Sequence, residues 1–451
     1  MHVEVIETPE LGDRSYVVHD GSVAVVIDPQ RDLDRVEELF HKHGVRVGLV
    51  VETHMHNDYV TGGYELATRH HVPYAVNAKD PVAFERQPVA DGDELEVGRL
   101  RVRVIATPGH TVTHLAYAIA DSGEPDAPTA LFSGGSLLYG SVGRTDLVDV
   151  ERTQELTHAQ FHSARRLAAE LPDDTALFPT HGFGSFCSSG SATGGQDSTI
   201  GTERQRNDAL TSDDEDGFVA RLVAALTAYP AYYAHMGPLN LSGPRQPDPD
   251  APPAAAADEL AKRLEAGEWV VDLRNRIAYA ADHLAGSVSI ELGQQFATYL
   301  GWLMPWGSAL TVIAETPEQV HDAQRQLSRI GIDHLAAAAT GTLDETGAGL
   351  PRSSYPRANF ADTATRPPGE TLLDVRRDDE RATSLIEGSV HIPMHQLLTR
   401  LEDVPAGRLW VHCASGFRAG IAASLLDRAG HDVVYIDDDY SKAAAAGLPT
   451  T

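Results

Sequence analysis

The chain has 451 residues, 42% hydrophobic and 22% charged, and a formal net charge of −29. That length exceeds one ordinary core and calls for two or three domains. The composition is globular rather than disordered, and the acid excess excludes nucleic acid and anionic lipid as natural partners. No apolar run reaches the ~18 residues of a membrane span. The opening Met1-His2-Val3-Glu4-Val5-Ile6 lacks a basic-then-apolar leader, so the expected location is the cytoplasm. There Cys187 and Cys413, far apart in the chain, read as separate thiols.

In chain order, Tyr16–Val18, Val23–Asp28 and Val45–Val51 are β-rich runs, and Leu33–Phe40 between the last two has helical spacing. Strands alternating with single helices predict a layered α/β architecture. A first domain is expected over 1–245. It is followed by a Pro/Ala linker, Pro247–Ala257. Two shorter units then echo one another. Trp269-Val270-Val271-Asp272-Leu273-Arg274 and Gly286-Ser287-Val288 return as Thr371-Leu372-Leu373-Asp374-Val375-Arg376 and Gly388-Ser389-Val390, an internal duplication. They are expected over 256–345 and 368–451.

Chemistry concentrates in two places. Thr53-His54-Met55-His56-Asn57-Asp58 follows an apolar strand, and residues two apart in extended backbone project to one side, so His54 and His56 can face one ion. His110, in Thr107-Pro108-Gly109-His110-Thr111, follows the run Leu100–Ile105. Neutral imidazole suits iron and zinc. Asp58, His114 and His181 complete the polar inventory.

The series Thr-His-x-His-x-Asp, Thr-Pro-Gly-His-Thr and Gly143-Arg144-Thr145-Asp146 resembles the metallo-β-lactamase fold. Within it, the chain is most similar to persulfide dioxygenases fused to rhodanese domains, as are the segments 181–187, 198–204 and 234–240. The resemblance implies an αββα sandwich followed by two rhodanese-like α/β domains. It also implies one Fe(II) held by two histidines and one aspartate, with positions open for a persulfide and O₂. By motif position the histidines are His54 and His110. The aspartate falls on Gly135, which has no side-chain oxygen, and Tyr59 stands where hydrolytic members carry a further histidine. Three outcomes stay open: iron on two histidines and a water, His56 completing a three-histidine site that favours zinc, or a metal-free scaffold. Gly135→Asp is then the expected repair.

Arg144 has two readings, a bidentate partner for a substrate carboxylate such as glutathione's, or a salt bridge with Asp146. Cys187, six residues beyond His181, is a candidate persulfide acceptor if its loop lines the metal pocket.

Near the C-terminal end, Arg408–His412 reads as a strand, Ala419–Leu426 as a helix, and Cys413-Ala414-Ser415-Gly416-Phe417-Arg418 as the loop between them. A cysteine opening a helix meets inward N–H groups and the positive dipole end, which favour the thiolate. Arg418 and the Gly416 backbone can hold a sulfite or thiosulfate oxyanion. This loop resembles a rhodanese active loop. The earlier copy carries Ala314-Glu315-Thr316-Pro317 after its corresponding strand and has no thiol, so it is read as non-catalytic.

The expected function is sulfide detoxification: oxidation of a low-molecular-weight persulfide to sulfite in the first domain, with sulfur transfer to or from thiosulfate at Cys413. The alternatives are a zinc-dependent thioester hydrolase of the glyoxalase II type and a metal-free sulfur carrier or regulator. The expected partners are these small molecules and O₂, and further copies of the chain.

Overall fold

A computed structural model describes residues 1–124, 129–189, 197–245, 247 and 250–451. The chain divides into two compact units, Met1–Asp248 with Ser328–Gly331, and Pro249–Leu327 with Ile332–Thr451. Of the expected linker 247–257, residues 248 and 249 lie outside the described residues. Ala257 already opens a helix that runs to Glu265. No helix among the described residues is long and apolar enough to cross a membrane.

The first unit is the expected sandwich. One six-stranded sheet carries His2–Thr8, Asp13–His19, Val23–Ile27, Arg46–Val51, Tyr74–Asn77 and Gln87–Val89 side by side. The other has five strands, ordered Ala176–Pro179, Ala130–Gly134, Leu115–Asp121, Leu100–Ala106 and Glu94–Val97. Tyr16, Val25, Leu49 and Val51 of the first sheet and Val102, Val104, Tyr117 and Phe132 of the second share one core between the sheets. The outer face of the six-stranded sheet buries Val36, Phe40 and Leu66 from helices. That of the five-stranded sheet buries Phe161, Leu167 and Phe218. Alternation along each strand thus sends one set of side chains inward and the other to the helices.

The first crossover shows how local sequence makes this. Val23–Ile27 pairs parallel with Arg46–Val51, and parallel neighbours require a long connection. The helix Asp34–His43 supplies it, with Asp34 and Glu37 in its first turn and His41, Lys42 and His43 in its last, charges that suit the helix dipole. Gly44 at φ +64° ends it, in a conformation other residues adopt only with strain.

The second unit holds two parallel sheets. One is ordered Val288–Ser289, Trp269–Asp272, Leu310–Ala314, Ala337–Thr340; the other Arg357–Ala358, Val433–Ile436, Leu409–His412, Thr371–Asp374, Val390–His391. The repeated Asp-x-Arg does the same work in both copies. Arg274 pairs with Asp272 at 2.7 Å and Arg376 with Asp374 at 2.7 Å. Each arginine also donates onward, to the carbonyl of Asp282 or of Ser384. The repeated serines donate their N–H to Leu284 and Ile386 carbonyls. The second sheet starts with Arg357–Ala358, upstream of residue 368, because those two residues pair with Val433–Ile436.

His412, the residue before Cys413, is buried with neither ring nitrogen hydrogen-bonded, and Phe360 and Tyr440 flank it. Burial pushes it down to about 4 from 6.5. The unfolded chain therefore binds the proton first, so the stability this group contributes is present above pH 6.5 and lost as pH falls toward 4, by about 3 kcal/mol at most. All four tryptophans, Trp269, Trp302, Trp306 and Trp410, lie in the second unit. Urea unfolding followed by tryptophan fluorescence is expected to show His412→Leu flattening this slope between pH 6.5 and 4.5. An unchanged slope would assign the acid sensitivity elsewhere.

Candidate metal centre and sulfur loop

Four strands of the first unit end at one place. Arg46–Val51 runs into the loop 52–58, Leu100–Ala106 into Thr107–His110, Ala130–Gly134 into Gly135, and Ala176–Pro179 into His181. Leu115 donates its N–H to the Thr53 carbonyl at 2.7 Å and Thr180 to that of Gly134 at 3.1 Å. The strand ends are thereby fastened to one another. His54, His56, His110, His114 and His181 meet there, each at most 2% exposed.

The partners of each imidazole fix which nitrogen faces inward. The Thr53 hydroxyl gives its one proton to Asp28 Oδ2 at 2.7 Å, so toward His54 Nδ1, 2.9 Å away, it accepts. His110 Nδ1 lies 2.7 Å from the Arg144 carbonyl oxygen, which can only accept. His181 Nδ1 lies 2.9 Å from Asp13 Oδ1. All three rings therefore carry their proton on Nδ1 and turn Nε2 inward. His110 Nε2 is buried without a partner, and the Nε2 atoms of His54 and His181 stand 3.3 Å apart. One donor atom from each of His54, His110 and His181 lies within 4.8 Å of the others. Burial, and then the neighbouring imidazoles, keep His54 well below its usual value and push His110 down to about 3. Both are neutral at pH 7, the ligand form.

His56 does not complete that triad. Its Nε2 is held by Tyr59 Oη at 2.9 Å, Glu52 Oε2 at 3.1 Å and Asp28 Oδ1 at 3.3 Å. Burial opposes its charge, but Asp28 and Glu52 outweigh burial and raise it to about 9. Of the three open outcomes, the one in which His56 completes a three-histidine site is not the one this geometry gives: it is His181 that turns Nε2 toward His54 Nε2, at 3.3 Å. Asp58 faces His181 Nδ1 at 3.3 Å and forms a second cluster with His56 and His181. Burial and its neighbour Asp58 raise Asp13, while His181, against the cost of burial, keeps Asp58 low. His181 in turn is raised to about 10, Asp58 and Asp13 outweighing burial.

Gly135 lies where no side chain fits. A Cβ there would stand 2.8 Å from His110 Nε2 and closer still to the ring carbons. Gly135→Asp is therefore not a simple repair, since the ring must move first. The Gly135 backbone is clamped instead: its N–H donates to His114 Nε2 at 3.0 Å, and its carbonyl accepts from Gln160 Nε2 at 3.0 Å. His114 is thus structural. Sequence reasoning missed Asp13, Glu52 and Gln160. Acidic residues entering otherwise apolar strands were the available signal for the first two.

Of the two readings of Arg144, the structure gives the salt bridge. Its guanidinium donates to Asp146 Oδ1 and Oδ2 at 2.7 and 2.8 Å and to the carbonyls of Phe186 and Thr227, and it is 1% exposed. Four of its five N–H groups are engaged in this way. Cys187 is likewise buried, 4.0 Å from Tyr233 Oη, and burial followed by Asp58 raises its thiol well above the usual value. That environment suits an inert thiol better than a persulfide acceptor. A cavity of about 530 Å³ opens beside the centre, with Met55, Asn57, Lys79, Thr111, Val148 and Tyr233 in its wall.

In the second unit Cys413 follows strand Leu409–His412, and the helix Phe417–Arg428 begins four residues later. The first N–H groups of that helix have no partner within it. Gly416, at φ +89°, makes the turn, and a Cβ would run into Asp437. Cys413 is 1% exposed. Arg418 is held by both oxygens of Glu380, one at 2.6 Å. Glu380 was not legible beforehand, because only folding brings helix Asp378–Thr383 to the loop. Tyr299 of the cysteine-free copy packs on Phe417 with ring centres 5.5 Å apart.

Comparison with known proteins agrees with this geometry. Residues 11–181 match the metallo-beta-lactamase superfamily and residues 359–446 a rhodanese-like domain. A hydroxyacylglutathione hydrolase of Chromohalobacter salexigens is 36% identical over 36% of this chain, which spans 58% of that protein's length. The human mitochondrial persulfide dioxygenase ETHE1 is 28% identical over 53% of this chain and 78% of its own. A metallo-beta-lactamase structure from Staphylococcus aureus superposes with a TM-score of 0.67 at 25% identity, covering 76% of this chain and 99% of that one.

Removing one partner of a buried ion pair leaves the other charge uncompensated. Asp146→Ala is expected to lower stability by about 3 kcal/mol, read from denaturation followed by circular dichroism. Unchanged stability with a raised KM would return Arg144 to the substrate.

Proposed function

Because this chain belongs to the metallo-beta-lactamase superfamily and carries a rhodanese-like domain, we propose that it acts in sulfide metabolism, oxidising a low-molecular-weight persulfide and transferring sulfane sulfur. The observation that carries this reading is the union in one chain of a buried imidazole centre and a helix-opening cysteine beside Arg418. In the oxidation, RSSH, O₂ and H₂O give RSH and sulfurous acid, the outer sulfur being oxidised and O₂ reduced. Iron(II) bound at the histidine cluster would supply O₂ activation.

The chain's own residues do the rest. The cavity beside the centre accepts the persulfide against Met55, Val148 and Tyr233. With Arg144 engaged by Asp146, the cation in that wall is Lys79, one of four lysines in the chain, and it takes the carboxylate of a peptidic thiol such as glutathione. At Cys413 the thiolate attacks the outer sulfur of thiosulfate. The S–S bond of thiosulfate breaks, a new one forms on Cys413, and sulfite leaves with the electron pair. Helix N–H groups and Arg418 stabilise the anions on either side of that step.

Thioester hydrolysis is the second reading, supported by the identity to hydroxyacylglutathione hydrolases. Against it stand Tyr59, whose hydroxyl lies 2.9 Å from His56 and 3.2 Å from the Asp28 carbonyl, and Gly135. Two-metal hydrolysis needs ligands for a second ion.

Iron-loaded chain is expected to consume O₂ and form sulfite with glutathione persulfide, and Cys413→Ser to abolish sulfur transfer from thiosulfate to cyanide. Hydrolysis of a hydroxyacylglutathione thioester without O₂ uptake would replace this reading with the second. Lys79→Met is expected to raise KM about two- to fivefold, the range of a partly exposed ion pair; an unmoved KM would remove Lys79 from substrate binding.

A further inference from the structure

We infer that His54, His110 and His181 together hold one divalent cation, His181 taking the coordination place for which position 135 offers no side chain.

The family resemblance assigns two histidines and a carboxylate, and this chain has glycine where the carboxylate belongs. The space beside that glycine is filled by the His110 ring. On the other side, His181 presents Nε2 to His54 Nε2 at 3.3 Å. Two imidazole lone pairs facing each other at that distance repel unless a cation lies between them. A proton on one ring is one such cation, and a metal ion is the other. In a tetrahedral site with metal–nitrogen bonds of 2.0–2.1 Å, ligand nitrogens stand about 3.3 Å apart. His110 supplies a third Nε2, buried and without any hydrogen-bond partner.

All three rings are also held from behind as ligands are. Thr53 accepts from His54, the Arg144 carbonyl from His110, and Asp13 from His181. Each outer partner selects the tautomer whose lone pair points inward. Behind His181, Asp13 and Asp58 stand 2.9 and 3.3 Å from Nδ1, so a pair of acidic side chains backs the ligand ring from one residue further out. His56 is the weaker candidate, because its Nε2 is already held by Tyr59, Glu52 and Asp28 at 2.9–3.3 Å.

Three neutral donors leave the ion with its full double charge, whereas a carboxylate ligand would halve it. Such a centre suits zinc or cobalt as well as iron, and it draws an anionic fourth ligand, such as a thiolate, more strongly. The inference concerns the same centre as the proposed oxidation, but its test reads metal binding without turnover. A chain that binds metal and oxidises no persulfide refutes the oxidation and leaves the ligand set standing.

The test is titration of the chelator-treated full chain with Co(II), followed by calorimetry and visible absorption. One ion per chain with the intense spectrum of a tetrahedral site is expected. His181→Gln should weaken binding at least about 100-fold, Asp13→Asn about 10- to 100-fold, and His56→Gln by less than about threefold. Full-strength binding by His181→Gln, or loss of binding by His56→Gln alone, overturns the assignment. Should His181→Gln fail to fold, pulsed EPR of the Cu(II)-loaded native chain decides by counting coupled imidazoles: three support the inference and two overturn it.

Discussion

The first unit depends on balancing charge in a pocket from which water is excluded. Four carboxylates, Asp13, Asp28, Glu52 and Asp58, and five imidazoles, His54, His56, His110, His114 and His181, are each at most 2% exposed. A buried charge without a partner costs several kcal/mol, so the groups sort themselves into cationic and neutral rings. His56 carries charge against Asp28 and Glu52, His181 against Asp13 and Asp58, and His54 and His110 stay neutral. His54 and His110 thus turn lone pairs inward, a metal ion would displace the inward proton of His181, and His56 stays apart because Tyr59, Glu52 and Asp28 hold its Nε2.

The sandwich makes this arrangement possible by ending strands of both sheets at one edge. Asp28 shows the economy of the design. It follows strand Val23–Ile27, adopts φ +50°, and accepts from the Thr53 N–H, the Thr53 hydroxyl and the Thr180 hydroxyl. One carboxylate thus ties the loops after strands of both sheets to each other. Helix Thr153–Glu170 adds Gln160, which accepts from the His110 N–H at 2.7 Å and donates to the Gly135 and Ser136 carbonyls.

The second unit applies one scaffold twice and loads it once. Both copies use the Asp-x-Arg pair to brace the strand end that faces the loop after the next strand. Only the later copy follows that next strand with cysteine. In the earlier one, Glu315 donates its N–H to Gln319 and the helix Pro317–Arg329 follows directly. The copies nevertheless stay coupled through Arg276, which reaches Tyr435 at 2.8 Å and Asp437 at 3.2 Å.

The sequence by itself determined what depends on near neighbours. Alternating Val and Ile runs, a helix ended by Gly44, the repeated Asp-x-Arg and a cysteine between strand and helix are local patterns, and their physics acts over a few residues. It also showed that position 135 lacks a carboxylate. Tertiary structure alone decided which histidine answers that lack, because the ring facing His54 comes from 127 residues away and is oriented by an aspartate a further 41 residues back toward the N-terminus, at a separation of 168. It alone engaged Arg144 with Asp146 and two carbonyls, sealed Cys187 away, and gave Arg418 to Glu380. Each of those outcomes turns on which groups are left in contact when water is excluded, and separation along the chain carries no record of it.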